Sequence, residues 1–320
     1  MLAAFFTETG PMAQVIQIGD MSEPELGSQQ VLVSVTARTV QPADYLFVGG
    51  RYRIKAEFPQ IAGFEGVGHV VAVGTDISGP VADQLTPGTR VAFRAVGAWA
   101  EQVAVPVNRI YPVPEGVPDS VASQFALNPL TAYGLLQRSS PVAGSRLLVT
   151  AGRSVVAGLL TQLALERGIS VSLLVRDKQR YQLLDGASNQ RLEEAASIAE
   201  TLKHRHFDVV MDAVGGPATT DLIAAITSGG QLLSYGALDN RPFTIDTRQV
   251  TYKLLRWQGF GIDAWLNELS HSELDQAQQQ IWSVLERQPQ LLPVAATFPL
   301  VDIHAALAKD STSAGKVILI

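Results

Sequence analysis

Arg146-Leu147-Leu148-Val149-Thr150, followed by Ala151-Gly152-Arg153-Ser154-Val155-Val156-Ala157-Gly158, is the stretch on which the fold turns. Its first five residues form a short apolar run, the pattern of a strand buried on both faces. Small residues then make a tight turn. From Ser154 to Glu166, Val155, Leu159 and Leu163 recur at helical spacing, with the small Ala157 near the same face. A strand, a tight turn and a helix start make an anion site, because unpaired backbone N–H groups and the helix dipole favour a pyrophosphate there. The usual Gly-x-Gly-x-x-Gly register here reads Gly152-x-Ser154-x-x-Ala157. The motif alone therefore leaves two readings open, a dinucleotide turn or a plain strand-turn-helix.

Around this unit the pattern repeats. Residues 171–175 (VSLLV), 207–212 (FDVVMD) and 231–235 (QLLSY) read as further buried strands, and 219–226 as a helix. Apolar strands alternating with helices predict a doubly wound parallel sheet covered on both faces. The polar stretch 187–206, with Glu193, Glu194 and Glu200, reads as a solvated, helical face. Upstream the texture differs. Residues 2–7 and 13–18 flank Gly10-Pro11 as a hairpin, 31–35 alternates, and 61–73, 91–93 and 103–105 are short strands punctuated by Gly79-Pro80 and Pro87-Gly88. That spacing predicts a β-barrel. A helix is expected from Asp119 or Ser120 to Leu127, with helical character extending over 131–136. Near the C-terminus, 272–286 reads as an exposed helix, and the apolar strand 316–320 is expected to return to the first domain. The sequence therefore divides into residues 1–118, completed by 264–320, and residues 119–263.

Composition limits the functions available. The 320 residues suit two domains. A formal net charge of −6 argues against a nucleic-acid groove. There is no cysteine, which removes disulfides, Cys nucleophiles, iron–sulfur clusters and thiolate zinc sites. The N-terminus lacks the basic and apolar regions of a signal peptide, and no apolar run reaches the ~18 residues of a membrane span. A soluble cytoplasmic protein, without a membrane or nucleic-acid partner, is expected.

The end of the second buried strand bears on the cofactor. NAD sites place a carboxylate there for the ribose 2′-hydroxyl, and NADP sites place cations for the 2′-phosphate. The sequence reads Val175-Arg176-Asp177-Lys178-Gln179-Arg180. Arg176, Lys178 and Arg180 favour NADPH as a phosphate clamp. Asp177 argues the other way, and a solvated basic turn is the plain alternative.

Several segments together resemble the medium-chain dehydrogenase/reductase superfamily on its zinc-free branch, and within it 2-enoyl thioester reductases and NADPH:quinone oxidoreductases. They are Gln41-Pro42-Ala43-Asp44, Gly49-Gly50-Arg51-Tyr52, Gly63-Phe64-Glu65-Gly66-Val67-Gly68, Asn128-Pro129-Leu130-Thr131-Ala132-Tyr133, Asp212-Ala213-Val214-Gly215-Gly216, Ser234-Tyr235-Gly236 and Gly259-Phe260. The resemblance covers nearly the whole chain and is weakest over 187–206. It implies a GroES-like β-barrel catalytic domain, a Rossmann domain inserted in it with the active site in the cleft, and a homodimer joined through sheet edges. Gln41 and Phe64 stand where zinc-dependent relatives carry ligating Cys and His. The five histidines are scattered, and the nearest two, His204 and His206, would not face together on a helix. Without a Lewis acid the substrate must already be polarised: an enone, an enoyl thioester or a quinone.

The resemblance further implies roles residue by residue. Tyr52 matches the catalytic tyrosine, a neutral donor for the oxygen that gains charge as hydride arrives. A lobe-packing tyrosine is the alternative. Gln41 replaces the usual Asn and is one methylene longer. Asn128 and Thr131 match the segment at the nicotinamide end. Gly152, Arg153, Ser154, Val155 and Val156 match the pyrophosphate turn. Val214, the Tyr235-Gly236-Ala237 loop and the Gly259-Phe260-Gly261 loop match cofactor walls. Phe260 and Trp265 are candidates for the substrate pocket, with core packing the alternative for Trp265. Lys316 matches a lysine near the cofactor, and Glu65 reads as structural, bonding loop amides. Arg51, Arg53 and Lys55 could meet the phosphates of coenzyme A or an acyl carrier protein, or form a solvated loop. A non-catalytic NADPH-binding protein and a zinc alcohol dehydrogenase complete the alternatives.

Overall fold

The computed structural model describes residues 1–310 and 315–320. The chain divides into two compact units, residues 1–128 with 280–320, and residues 129–279.

The first unit is built on strands β1 (Leu2–Phe6), β2 (Gln17–Asp20), β3 (Gln30–Val40), β4 (Gln60–Ile61), β5 (Glu65–Val73), β6 (Arg90–Arg94), β7 (Gln102–Pro106) and β8 (Ile110–Pro112). Short helices α1 (Met12–Val15), α2 (Pro42–Val48), α3 (Pro80–Gln84) and α4 (Asp119–Ala122) interrupt them. β1 pairs antiparallel with β2, as a hairpin should, but residues 12–15 form a helical turn instead of strand, and the return strand begins only at Gln17. The expected helix over 119–127 stops after one turn. Phe6, Phe47, Phe64, Phe93 and Trp99 fill the core of this unit.

The second unit holds helices α5 (Asn128–Ser139), α6 (Val155–Leu165), α7 (Ile198–Leu202), α8 (Ala218–Ala224), α9 (Thr247–Tyr252), α10 (Ile262–Glu268) and the first part of α11 (His271–Arg287). Its strands are β9 (Arg146–Val149), β10 (Ser170–Asp177), β11 (Arg180–Asp185), β12 (Arg191–Ala195), β13 (Phe207–Asp212), β14 (Ile226–Ser234) and β15 (Arg256–Gly259), in the order β12-β11-β10-β9-β13-β14-β15. The five strands from β10 to β15 run parallel, and Leu147, Leu148, Val149, Leu232 and Leu233 are fully buried, as apolar runs in a covered sheet must be. The chain then returns to the first unit with β16 (Val294–Phe298), α12 (Ile303–Asp310) and β17 (Lys316–Leu319), and β17 pairs with β3.

The segment 187–206 departs from the expected helix. After β10 the chain reverses over Lys178-Gln179, with Lys178 at φ 54°, so that Asp177 faces Arg180. β11 and β12 therefore add antiparallel to the sheet edge where a crossover helix was expected. Leu183 and Leu184 become buried, while Arg180–Glu194 and Arg205–Glu193 pairs decorate the solvent side. Only 198–202 is helical there.

The unit boundaries fall later than the residue 118 and 263 divisions read from sequence. Residues 119–123 are bound to barrel strands: Thr36 Oγ1 donates to Asp119 at 2.6 Å, and Thr39 Oγ1 to the Ser123 carbonyl at 2.8 Å. Trp265 packs on Gly134 of α5, which keeps it in the second unit.

Candidate active site

In the second unit the turn after β9 presses against β10. The Gly152 amide donates to the Leu174 carbonyl at 3.0 Å, and a Cβ on Gly152 would lie 2.7 Å from the Leu173 Cβ. Only glycine permits that approach. Ser154 caps α6, its Oγ accepting from the Ala157 amide at 3.2 Å. Asp212, fully buried at the end of β13, accepts from Thr150 Oγ1 (2.7 Å), the Val214 amide (2.9 Å), the Gly215 amide (3.1 Å) and Thr219 Oγ1 (3.3 Å). One carboxylate thus ties the turn after β9 to the loop after β13. The Tyr235 hydroxyl lies beside Ser154, and burial, followed by the Asp212 charge, raises its pKa, so it stays a proton donor.

A cavity of about 780 Å³ opens over this turn. That is a ligand-sized volume. Gly152, Arg153, Ser154, Arg176 and Val214 line it. Lys178 and Arg180 do not: Lys178 is at the hairpin tip, and Arg180 Nε is bound to Glu194 at 2.6 Å on the edge of the sheet. Of the three cations read from sequence, Arg176 is the one that lines this cavity. Tyr181, Ser197, Asp239 and Arg241 also line the cavity and were not anticipated.

The remaining expected residues of this unit lie outside that lining. Val155 and Val156 begin α6, and Thr131 follows Asn128 in the first turn of α5. A Cβ on Gly236 would sit 2.5 Å from the Ala213 carbonyl oxygen, and Ala237 follows it on the exposed loop. Gly259 ends β15, Gly261 precedes α10, and the Phe260 amide donates to the Ser234 carbonyl at 2.8 Å. Trp265 is 2% exposed, donates its indole N–H to Gln137 and packs with Phe260 against Gly134. It is a core aromatic of this unit.

In the first unit, Gln41 precedes α2 and its backbone N–H donates to Asp44 at 2.8 Å. Its side chain is 1% exposed, and Nε2 has no hydrogen-bond partner among the described residues. Tyr52 is half-buried, its ring 5.0 Å from Phe64, which is in turn 5.0 Å from Phe47. Arg53 lies 5.7 Å from the Tyr52 ring centre, and Arg51, Arg53 and Lys55 are exposed. The aromatic cluster occupies the place where a zinc-binding histidine would be needed. Carbon in that place and an amide at Gln41 do not make a zinc donor set.

Glu65 differs from expectation. It is fully buried, its oxygens lack a hydrogen bond of standard geometry among the described residues, and the Leu127 loop amide lies near enough to favour the charge. Instead it faces Arg94, its cross-strand neighbour, and Lys316 of β17. Burial raises its pKa from 4.5 to about 7, against the opposing pull of Lys316 and then Arg94.

Comparison with known proteins agrees with this architecture. Residues 27–115 match the family described as alcohol dehydrogenase GroES-like domain, and residues 182–319 match that described as zinc-binding dehydrogenase. The mitochondrial enoyl-[acyl-carrier-protein] reductase of Bos taurus is 26% identical over 321 residues, covering 95% of this chain and 84% of that protein. The same-named protein of Dictyostelium discoideum is 26% identical over 92% and 87%. A mycobacterial quinone oxidoreductase structure superposes with a TM-score of 0.84 at 25% identity over 100% and 99% of the chains. A mycobacterial structure complexed with NADPH gives 0.83 at 26% over 100% of both. With an inserted parallel sheet, a barrel completed by its own C-terminal strand, and relatives that span nearly its full length, the chain belongs to the medium-chain dehydrogenase/reductase family.

Proposed function

We propose that this enzyme reduces the activated C=C of a 2-enoyl thioester. It is an NADPH-dependent reductase. Its residues fit that cofactor: Gly152 lets the turn after β9 press onto β10, and the start of α6 offers amide donors to a pyrophosphate. Arg176 suits the 2′-phosphate. NADPH, when bound, supplies a hydride for the β-carbon of the substrate.

The chain's own residues then have two tasks. They hold the reactants in register, and they meet the negative charge that develops on the thioester carbonyl oxygen. Tyr52 Oη donates a hydrogen bond to that oxygen. Gln41 Nε2, a buried amide donor without a partner among the described residues, is the second candidate for substrate or nicotinamide contact. Leaving it unmatched would be costly, so a ligand oxygen is its natural complement. The carrying observation is the Phe47–Phe64–Tyr52 cluster of tilted rings: it puts a phenol beside carbon where zinc-dependent relatives need a metal ligand, so the acceptor must arrive already polarised.

The enoyl reductase relatives, matched over more than nine-tenths of the chain, favour the thioester. The quinone oxidoreductase neighbour supports a second reading, a 1,4-quinone acceptor on the same machinery. NADPH oxidation measured with crotonyl-CoA beside a 1,4-benzoquinone separates them. Turnover with the thioester is expected. Turnover with the quinone alone transfers the assignment to the second reading, and turnover with neither rejects both.

The β15 edge supports a homodimer. Arg256, Trp257, Gln258 and Gly259 are all exposed, and the Trp257 ring lies 6.0 Å from Phe243, tilted 40° to it. An open sheet edge with an aromatic on it suits pairing with its own copy. No described helix is long and apolar enough to cross a membrane. The curated relatives are named as mitochondrial, and the cytoplasmic location expected from sequence is a question for cell fractionation.

A further inference from the structure

The loop after β14 contributes a cation that no sequence motif marks. Arg241 lines the same cavity as Arg176, although 65 residues separate them. Two observations bring them to one end of it. Arg176 lies directly opposite Tyr181 across the β10–β11 hairpin, and the Tyr181 phenol is within electrostatic reach of the Arg241 guanidinium. The position of Arg241 is built. Its Nε and Nη2 fork onto Asp239 at 2.9 and 2.7 Å, and its backbone N–H donates to the same carboxylate at 3.1 Å. Asp239 is itself fixed, its amide donating to the Val214 carbonyl at 2.8 Å. Gly216, at φ 64°, leaves it room, since a Cβ there would lie 2.6 Å from the Asp239 carboxyl carbon. The fork spends one edge of the guanidinium and leaves the Nη1 edge for a second partner.

We propose that Arg241 is the second half of the 2′-phosphate clamp, acting with Arg176 from within the cavity that Lys178 and Arg180 do not line, and that Asp239 is its positioning residue. A phosphate dianion matches two guanidinium groups, and an arginine at the end of β10 with one held on the loop after β14 grips it from two sides. The Asp239 charge is neutralised by its own arginine, so the pair presents donors rather than a carboxylate. This inference rests on the NADPH reading and sharpens it, because it shares cofactor selectivity between that strand end and the loop after β14.

The chain contains its own control. Arg248 forks onto Asp246 with the same two-residue spacing, at 3.0 and 2.6 Å, but lies outside the cavity lining. The test is the dissociation constants of NADPH, NADH and 2′,5′-ADP for wild type, Arg241→Ala, Asp239→Asn and Arg248→Ala, read by protein fluorescence without substrate. Arg241→Ala is expected to weaken NADPH and 2′,5′-ADP at least about tenfold and NADH less than about twofold. Asp239→Asn should lose NADPH selectivity by a smaller factor, and Arg248→Ala should match wild type. Equal losses for NADPH and NADH in Arg241→Ala, or undiminished NADPH affinity, overturn the inference while leaving the NADPH reading intact. A wild type that does not prefer NADPH to NADH overturns both.

Discussion

The two halves of the candidate machinery are made of different material. The dinucleotide turn is a backbone construction: Gly152 pressed to within 2.7 Å of a would-be Cβ contact, Ser154 capping α6, and a buried Asp212 tying two loops together. The Tyr52 region is made of side chains, with Phe64 buried, Glu65 buried facing Arg94 and Lys316, and the buried Gln41 Nε2 without a hydrogen-bond partner among the described residues. Backbone sites tolerate imperfect motifs, because what binds phosphate is N–H geometry. Side-chain sites depend on single atoms, and each atom can be removed singly.

Four experiments break or sharpen that contrast. The largest effect is expected at Tyr52→Phe. Loss of one donor to a developing oxyanion costs about 100- to 1000-fold in kcat. NADPH affinity, set in the other unit, should change less than about twofold. Steady-state kinetics with crotonyl-CoA, alongside fluorescence binding, check both, and a loss confined to NADPH affinity would dissolve the division of labour.

Glu65 comes next. Its pKa is raised from 4.5 to about 7, so the folded chain holds a proton more tightly than the unfolded chain between those values. Stability contributed by the neutral form is fully present below about pH 4.5 and is lost as pH rises through about 7. Relative to wild type, Glu65→Gln should therefore gain on the order of 2–3 kcal/mol between pH 4.5 and 7, and hold that difference above it. Urea denaturation across that range measures it, and parallel curves for the two proteins would remove Glu65 from the explanation.

Arg176→Ala is expected to weaken NADPH by roughly 10- to 50-fold, the value of a charge-assisted contact, and NADH less than about twofold. Calorimetric titration with both cofactors decides it, and equal losses deny the phosphate role. The smallest effect belongs to Ser154→Ala. Loss of a helix cap costs about 1 kcal/mol of stability, with NADPH and NADH weakened alike. Thermal unfolding and the NADPH/NADH ratio together read it, and a change in that ratio would make Ser154 a selectivity residue, not a backbone support.

What the sequence made legible follows the same line. The runs at 146–150, 171–175 and 207–212 announced the parallel sheet because full burial demands unbroken apolar residues. The return of 316–319 to β3 was equally plain from its apolarity. The β10–β11 hairpin was not, for a physical reason. Its turn is Lys178-Gln179, with a lysine rather than Gly or Asn at positive φ, so the usual hairpin signal is absent. Glu193 and Glu194 read as a helix face only because strand edges and helix faces carry the same charges. Arg241 was not legible either, since a cavity shared by residues 65 apart leaves no local pattern. Tyr52 and Gln41 were visible only through resemblance; nothing in their own neighbourhood announces a donor.

The claim beneath all of this is hydride delivery to a polarised C=C without a metal. The most direct measurement is deuterium transfer from C4-deuterated NADPH to crotonyl-CoA by protein exhaustively treated with a chelator. Deuterium at the β-carbon of the butyryl product, formed at the rate of untreated protein, is the expected result. Deuterium absent from that carbon, or a rate that falls on chelation and returns with added zinc, would contradict it.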